Sequence, residues 1–262
     1  MRQAVRPGNM PQPLPALWVR AGVLVLAGLP GVAMLALQPV PADWLQAQPA
    51  WASWPAWKLQ LLAALNPALL LVVAAWAGAL VAHRVGLNSV LAGTASPQTR
   101  REGWGLAAAA GLGTGLVLAV CDAVAAPWLG EHWKQFLQQA SQPGILVLAT
   151  GILYGGVTEE VLMRWGLMGS LTWVLWLLTG KRHPGRAVVV AAVVTALAFG
   201  AGHLPALAAQ VDLSVAVVVR TLGLNAVAAM VYAWIFWRHH LEAAMLCHAC
   251  THLAMGAVWS WA

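Results

Sequence analysis

Two adjacent carboxylates and an arginine, Glu159, Glu160 and Arg164, stand inside an apolar run that begins at Gly144 and resumes beyond the arginine. Charges in such a setting cost on the order of 3 kcal/mol each before they find partners. On a helix, Glu160 and Arg164 are i,i+4 neighbours and form a charge-assisted pair, whereas Glu159 projects about 100° away. The pair then holds the site together and Glu159 is left to face a cavity. A purely structural ionic staple of all three residues is the competing reading, although ionisable groups at membrane depth are usually functional.

Histidines extend the constellation. His203, His248 and His252 fall within or at the ends of apolar stretches, whereas His83, His132, His183, His239 and His240 fall in connections or at edges. His248 and His252 share one helix face at i,i+4, and His203 follows Phe199 by four residues, just before Leu204 and Pro205. A carboxyl group and several imidazoles suit activation of water, because an apolar cavity favours the neutral acid and so favours a base that must accept a proton. The same side chains are also chemically sufficient for zinc. Glu159, His203, His248 and His252 offer nitrogen and oxygen donors, with Cys247 and Cys250 nearby, but there is no His-Glu-x-x-His motif.

The elements that must position these residues are membrane spans. With 61% hydrophobic and 8% charged side chains in 262 residues, the chain has too little polar surface for a soluble globule. Apolar stretches recur at about 17–37, 59–82, 104–126, 144–180, 186–204, 212–237 and 240–261. Each approaches the roughly 20 residues that cross a hydrocarbon core, and helices alone satisfy an open-chain backbone there. The expected fold is all-α, a polytopic transmembrane bundle with about seven spans, or six to eight depending on how 144–180 is threaded. As one α-helix that segment is roughly 55 Å long, so it must tilt, protrude, or break near Gly155-Gly156 or Gly166. Residues 1–16 are expected to form a flexible tail and 17–262 the transmembrane domain. The N-terminus also has signal-peptide features, with Ala42 at a small-residue site, but Pro30, Pro39, Pro41 and the long run favour an uncleaved first span.

Counting basic residues on alternate sides puts Arg2, Arg6, Arg20, Arg84, Arg100, Arg101, Lys181, Arg182, Arg186 and Arg238 on one side and only Lys58 and Lys134 on the other. The N-terminus is therefore expected in the cytoplasm. These basic residues form no continuous stripe, which argues against nucleic acid as a partner despite a net charge of +6. Arg220 falls within a span and needs a partner there, and Asp122 lies near a span end. Asp43, Glu102, Glu131, Asp212 and Glu242 lie in connections or at edges.

Among 16 tryptophans, Trp44, Trp51, Trp54, Trp57, Trp259 and Trp261 cluster near span ends as an interfacial belt. Gly111 with Gly115, and Gly151 with Gly155, have the spacing that lets helices approach closely. Cys121, Cys247 and Cys250 lie in apolar segments and indicate no disulfide framework.

Three segments together resemble a known family: Glu159-Glu160-Val161-Leu162-Met163-Arg164, Phe199-Gly200-Ala201-Gly202-His203, and His248-Ala249-Cys250-Thr251-His252. They are similar to the ordered motifs Glu-Glu-x-x-x-Arg, Phe-x-x-x-His and His-x-x-x-Asn/Asp of the CAAX-protease and bacteriocin-processing (Abi) intramembrane proteases, over about residues 144–256. His252 departs from the pattern, standing where the family has Asn or Asp. Imidazole donates a hydrogen bond as an amide does, but it also titrates.

The resemblance implies an intramembrane endopeptidase of the glutamate type, without a metal cofactor, zinc being the alternative. Glu159 and His203 would activate water, His248 and His252 would steady the oxyanion, and Glu160, Arg164 and Phe199 would support them. The implied partners are the lipid bilayer and a peptide or protein substrate. The implied location is a cell membrane, read as bacterial from the Ala- and Trp-rich composition. A proton-coupled transporter or channel and a non-catalytic membrane-peptide scaffold are the alternative functions. Upright spans of equal level would keep His203, near the outer end of its span, apart from His248, about 12 Å from the cytoplasmic end of its own.

Overall fold

The computed structural model describes residues 13–40, 45, 48–140 and 144–259. The expected tail up to residue 12, Pro41, Ala42, Asp43, Trp44, Trp261 and the side chain of Trp259 lie outside the described residues. Among the described residues, seven helices are long and apolar enough to cross a membrane. We number them α1 (Leu17–Ala36), α2 (Ala56–Val81, continued as a 3-10 turn Ala82–Val85), α3 (Trp104–Ala125), α4 (145–178), α5 (Pro184–Gly202), α6 (Val215–Arg238) and α7 (Leu241–Trp259). No strand occurs among the described residues. The chain is a multi-pass helical membrane protein, as expected, and its exposed leucines and valines lie on the outside of the bundle, where hydrocarbon is the natural solvent.

Local chemistry sets the boundaries. Pro184 opens α5 at its first turn, where a missing N–H is harmless. Ser214 caps α6, its hydroxyl accepting from Val217 N at 3.2 Å. Gly180 and Lys181 take positive φ to end α4, and Gly103 does so ahead of α3. One element was not expected: Glu131–Ala140 forms a short amphipathic helix between α3 and α4. Its Trp133 is buried, with Phe136 and Leu137 packed beside it, against Leu207, Val211 and Val217.

The 144–180 segment is neither broken at Gly155-Gly156 or Gly166 nor folded into two crossings. It is one helical run that begins and ends as α-helix (Ile145–Thr150 and Gly169–Leu178) and winds as π-helix through Gly151–Glu159 and Val161–Met168. The i→i+5 bonding of a π-helix places more residues in each turn and shortens the run relative to the about 51 Å of 34 residues in α-helix. Its far end protrudes, since every residue from Leu177 to Arg186 is exposed.

Close approach of backbones builds the bundle around α4 and α7. Gly28 of α1 accepts at its carbonyl from Thr158 Oγ1 at 2.7 Å, and Trp165 Nε1 donates to Ala75 O of α2 at 3.2 Å. Thr251 Oγ1 reaches Gly111 O of α3 at 3.1 Å. Both expected glycine pairs seat helices. A Cβ on Gly111 or Gly115 would collide with the α7 backbone at Cys247 or Thr251, and one on Gly151 or Gly155 would collide with the His252 ring. Small residues let dispersion and side-chain hydrogen bonds hold helices together where lipid supplies no hydrophobic drive.

His240 and Glu242, read from sequence as edge residues, are buried. The Glu242 carboxylate accepts from Ser89 Oγ at 2.6 Å and from Val90 N and Leu91 N at 2.8 and 3.0 Å. It thereby fastens the α2–α3 connection over the start of α7, and edge position alone gave no sign of this.

Gly111→Leu should lower stability in detergent by about 1–3 kcal/mol, the usual penalty of overpacking. Gly113→Leu, on the same helix but with nothing near its Cβ direction, should leave it close to unchanged. Thermal unfolding of the two variants beside the parent protein checks this.

Candidate active site

Glu160 is fully buried and has two partners. Its Oε2 lies 3.2 Å from Arg164 Nε one turn on, as the spacing predicts. Its Oε1 lies 2.9 Å from His248 Nδ1 across the interface with α7, a contact that helical spacing cannot show because it joins residues far apart in sequence. Arg164 Nη2 donates to Ala229 O of α6 at 3.4 Å. The guanidinium also lies over two aromatic faces, Phe199 at 5.2 Å and Tyr232 at 5.4 Å, where the ring quadrupoles favour a desolvated cation.

Three rings also pack on His248. Tyr232 stacks on it with centroids 4.3 Å apart, and His252 stacks on it at 5.0 Å. Phe199 meets it edge-on at 5.8 Å. Because a carboxylate can only accept, the bond to Glu160 places the proton of the neutral ring on Nδ1 and leaves Nε2 as an acceptor. His203 obeys the same rule. It ends α5, and its Nδ1 lies 2.8 Å from Phe199 O, a carbonyl that can only accept. Its Nε2 is therefore the free basic atom, and Phe199 packs edge-on against its ring at 4.7 Å.

The expected separation of His203 from His248 does not occur, since Phe199 touches both rings. The starting levels of their helices differ. The α4–α5 turn stands out from the packed body, whereas the α6–α7 turn is buried at His240, with Leu241 N bonded to Asn88 O at 2.9 Å. Helix α5 therefore begins farther out on that side and carries His203 to the level of α7's histidines.

A cavity of about 280 Å³ opens beside these groups. His203, His248, His252, Tyr232 and Asn225 line its polar part, and Leu118, Phe136, Leu224 and Met255 line apolar parts. Glu159 does not line this cavity. It is partly buried, on α4 directly before Glu160.

Two site residues missed from sequence are Tyr232 and Asn225, which stand in an apolar span without a motif around them. Asp122 and Arg220 form the ion pair that Arg220 required. They join α3 to α6 at the cavity, with the guanidinium over Trp133 at 4.7 Å. Two lone opposite charges in separate apolar helices are a legible signal of such a pair. Among the described residues, no three or more His, Cys, Asp or Glu side chains are grouped so as to hold a metal ion.

Residues 141–254 match the family described as Rce1-like: type II CAAX prenyl endopeptidase Rce1-like. This segment is Rce1-like. The match spans all three motifs, nearly coincides with the 144–256 region that carries the resemblance, and agrees with the CAAX-protease family named for it. No curated protein and no solved structure matches the chain.

Replacing Glu160 by Leu leaves Arg164 buried without its anion and should destabilise the fold by about 3–5 kcal/mol, the loss found when one partner of a buried pair is removed. Adding Arg164→Met should restore most of that stability. Denaturation of the single and double variants in micelles measures both, and a double variant no better than the single one contradicts the pairing.

Proposed function

We propose that this chain is an intramembrane endopeptidase of the glutamate type that needs no metal ion. The supporting observation is the meeting, in the Rce1-like segment, of His203, His248 and His252 at one cavity, beside the Glu159-Glu160 pair of α4.

In this reading a water molecule at the α4 edge of the cavity, within reach of Glu159 behind the lining, has Glu159 and His203 Nε2 as the acceptors for its two hydrogens. One proton passes to the Glu159 carboxylate as the water oxygen bonds to the peptide carbonyl carbon. The carbonyl oxygen becomes an oxyanion between donors on α7, and the proton then moves from Glu159 to the leaving amine as the C–N bond breaks. Preorganised donors of this kind are commonly the largest catalytic contribution.

His248 fills the donor role only as imidazolium, since its neutral ring presents Nε2 as an acceptor. The Glu160 carboxylate at 2.9 Å supplies the anion that such a cation requires. Glu160 is thus a positioning residue for His248, and Arg164 fixes Glu160 in turn. His252 supplies the second donor in place of the family's amide.

Glu159→Gln should reduce kcat by at least about 10²-fold, since a general base contributes some 10²–10⁴, with the thermal unfolding profile preserved. Purified variant and parent are compared on a peptide that the parent cleaves, and undiminished proteolysis by the variant would sink the reading. His252→Asn should keep activity within about tenfold, whereas His252→Ala should lose roughly 10²–10³, the effect of removing one oxyanion donor. Equal loss in both would mean that the imidazole does something an amide cannot.

A further inference from the structure

The residues that line the cavity share a position in the topology. Leu118 and Asp122 lie in the second half of α3, and Phe199 and His203 lie in the last turns of α5. Arg220, Thr221, Leu224 and Asn225 lie in the first half of α6, and Gln210 and Trp133 lie in the connections beyond. These segments all adjoin the connections after α3 and after α5, on one side of the bundle. That side carries Lys58 and Lys134, whereas the connections on the opposite side carry Arg84, Arg100, Arg101, Lys181, Arg182 and Arg186. By the bias of basic residues toward the cytoplasm, the mouth of the cavity faces away from it.

The opposite direction is closed. Between the His248 ring and the cytoplasmic end of α7, Leu241, Ala243, Ala244 and Cys247 are wholly buried, and Glu242 clamps the α2–α3 connection across the helix start. His252 lies six residues before Val258, the last residue of the span, or roughly 9 Å from that end at 1.5 Å per residue.

We propose that the site takes its substrate from the non-cytoplasmic side, as an extended peptide segment lying at the outer leaflet and reaching down past the short helix Glu131–Ala140. Trp133, Phe136 and Leu137 of that helix form one wall of the entry, so apolar side chains near the scissile bond are the complementary chemistry. Its substrates are translocated or outer-leaflet peptides, and a protein chain held wholly in the cytoplasm does not reach it. This rests on the endopeptidase reading for the word substrate, but the direction of access does not.

The test is cysteine accessibility in cells that express the full chain, with Gln210→Cys at the mouth and Arg101→Cys in the α2–α3 connection. The parent chain, with its three native cysteines, gives the baseline. A membrane-impermeant maleimide should label Gln210→Cys in intact cells whose inner membrane is sealed, and should label Arg101→Cys only after permeabilisation. Protection of Gln210→Cys until permeabilisation, or labelling of Arg101→Cys in sealed cells, overturns the proposal. Because labelling needs no turnover, this outcome is independent of whether Glu159→Gln abolishes cleavage.

Discussion

The buried ion pair of Glu160 and Arg164 is the constraint around which the rest of the site is arranged. Neither charge can reach solvent, so each must be neutralised inside the bundle. The consequences spread across four helices: Glu160 takes His248 from α7, while Arg164 takes a carbonyl from α6 and the aromatic faces of Phe199 and Tyr232 from α5 and α6. A pair of this kind contributes little net stability compared with well-packed apolar residues. What the pair does show is a link among four helices, since its partners come from α5, α6 and α7.

That arrangement also decides which nitrogen of each of two histidines carries the proton. Two acceptors, a carboxylate for His248 and a carbonyl for His203, draw the ring protons to Nδ1 and leave Nε2 as the acceptor. The same residue type is thus tuned by its second contact rather than by its position in a motif. Tyr232 and His252 both stack on the His248 ring, which restricts its turning.

Much of this was legible in the sequence because membranes restrict the available structures. Apolar length yielded seven spans with ends within a few residues of those observed, and i,i+4 spacing yielded the Glu160–Arg164 pair. Spacing could not yield the Glu160–His248 bond, Tyr232 or Asn225, since these depend on which helix faces which. The winding of α4 was also hidden. Periodicity arguments assume 3.6 residues per turn, whereas the π-helical stretches carry consecutive side chains through a smaller angle. Glu159 and Glu160 therefore diverge less than an α-helical wheel implies, and it is Glu160 that meets His248. The separation expected between His203 and His248 failed for a related reason: equal starting levels were assumed for helices whose turns lie at different depths.

The packed start of α7 has a bearing on the permeability of the membrane. A cavity containing a carboxylate and several imidazoles would conduct protons if water reached it from both sides. Seven residues from Leu241 to Cys247, roughly 10 Å of helix, are almost entirely buried and separate the histidines from one face. A plug of this kind would let a wet cavity sit inside a bilayer without dissipating the ion gradient across it.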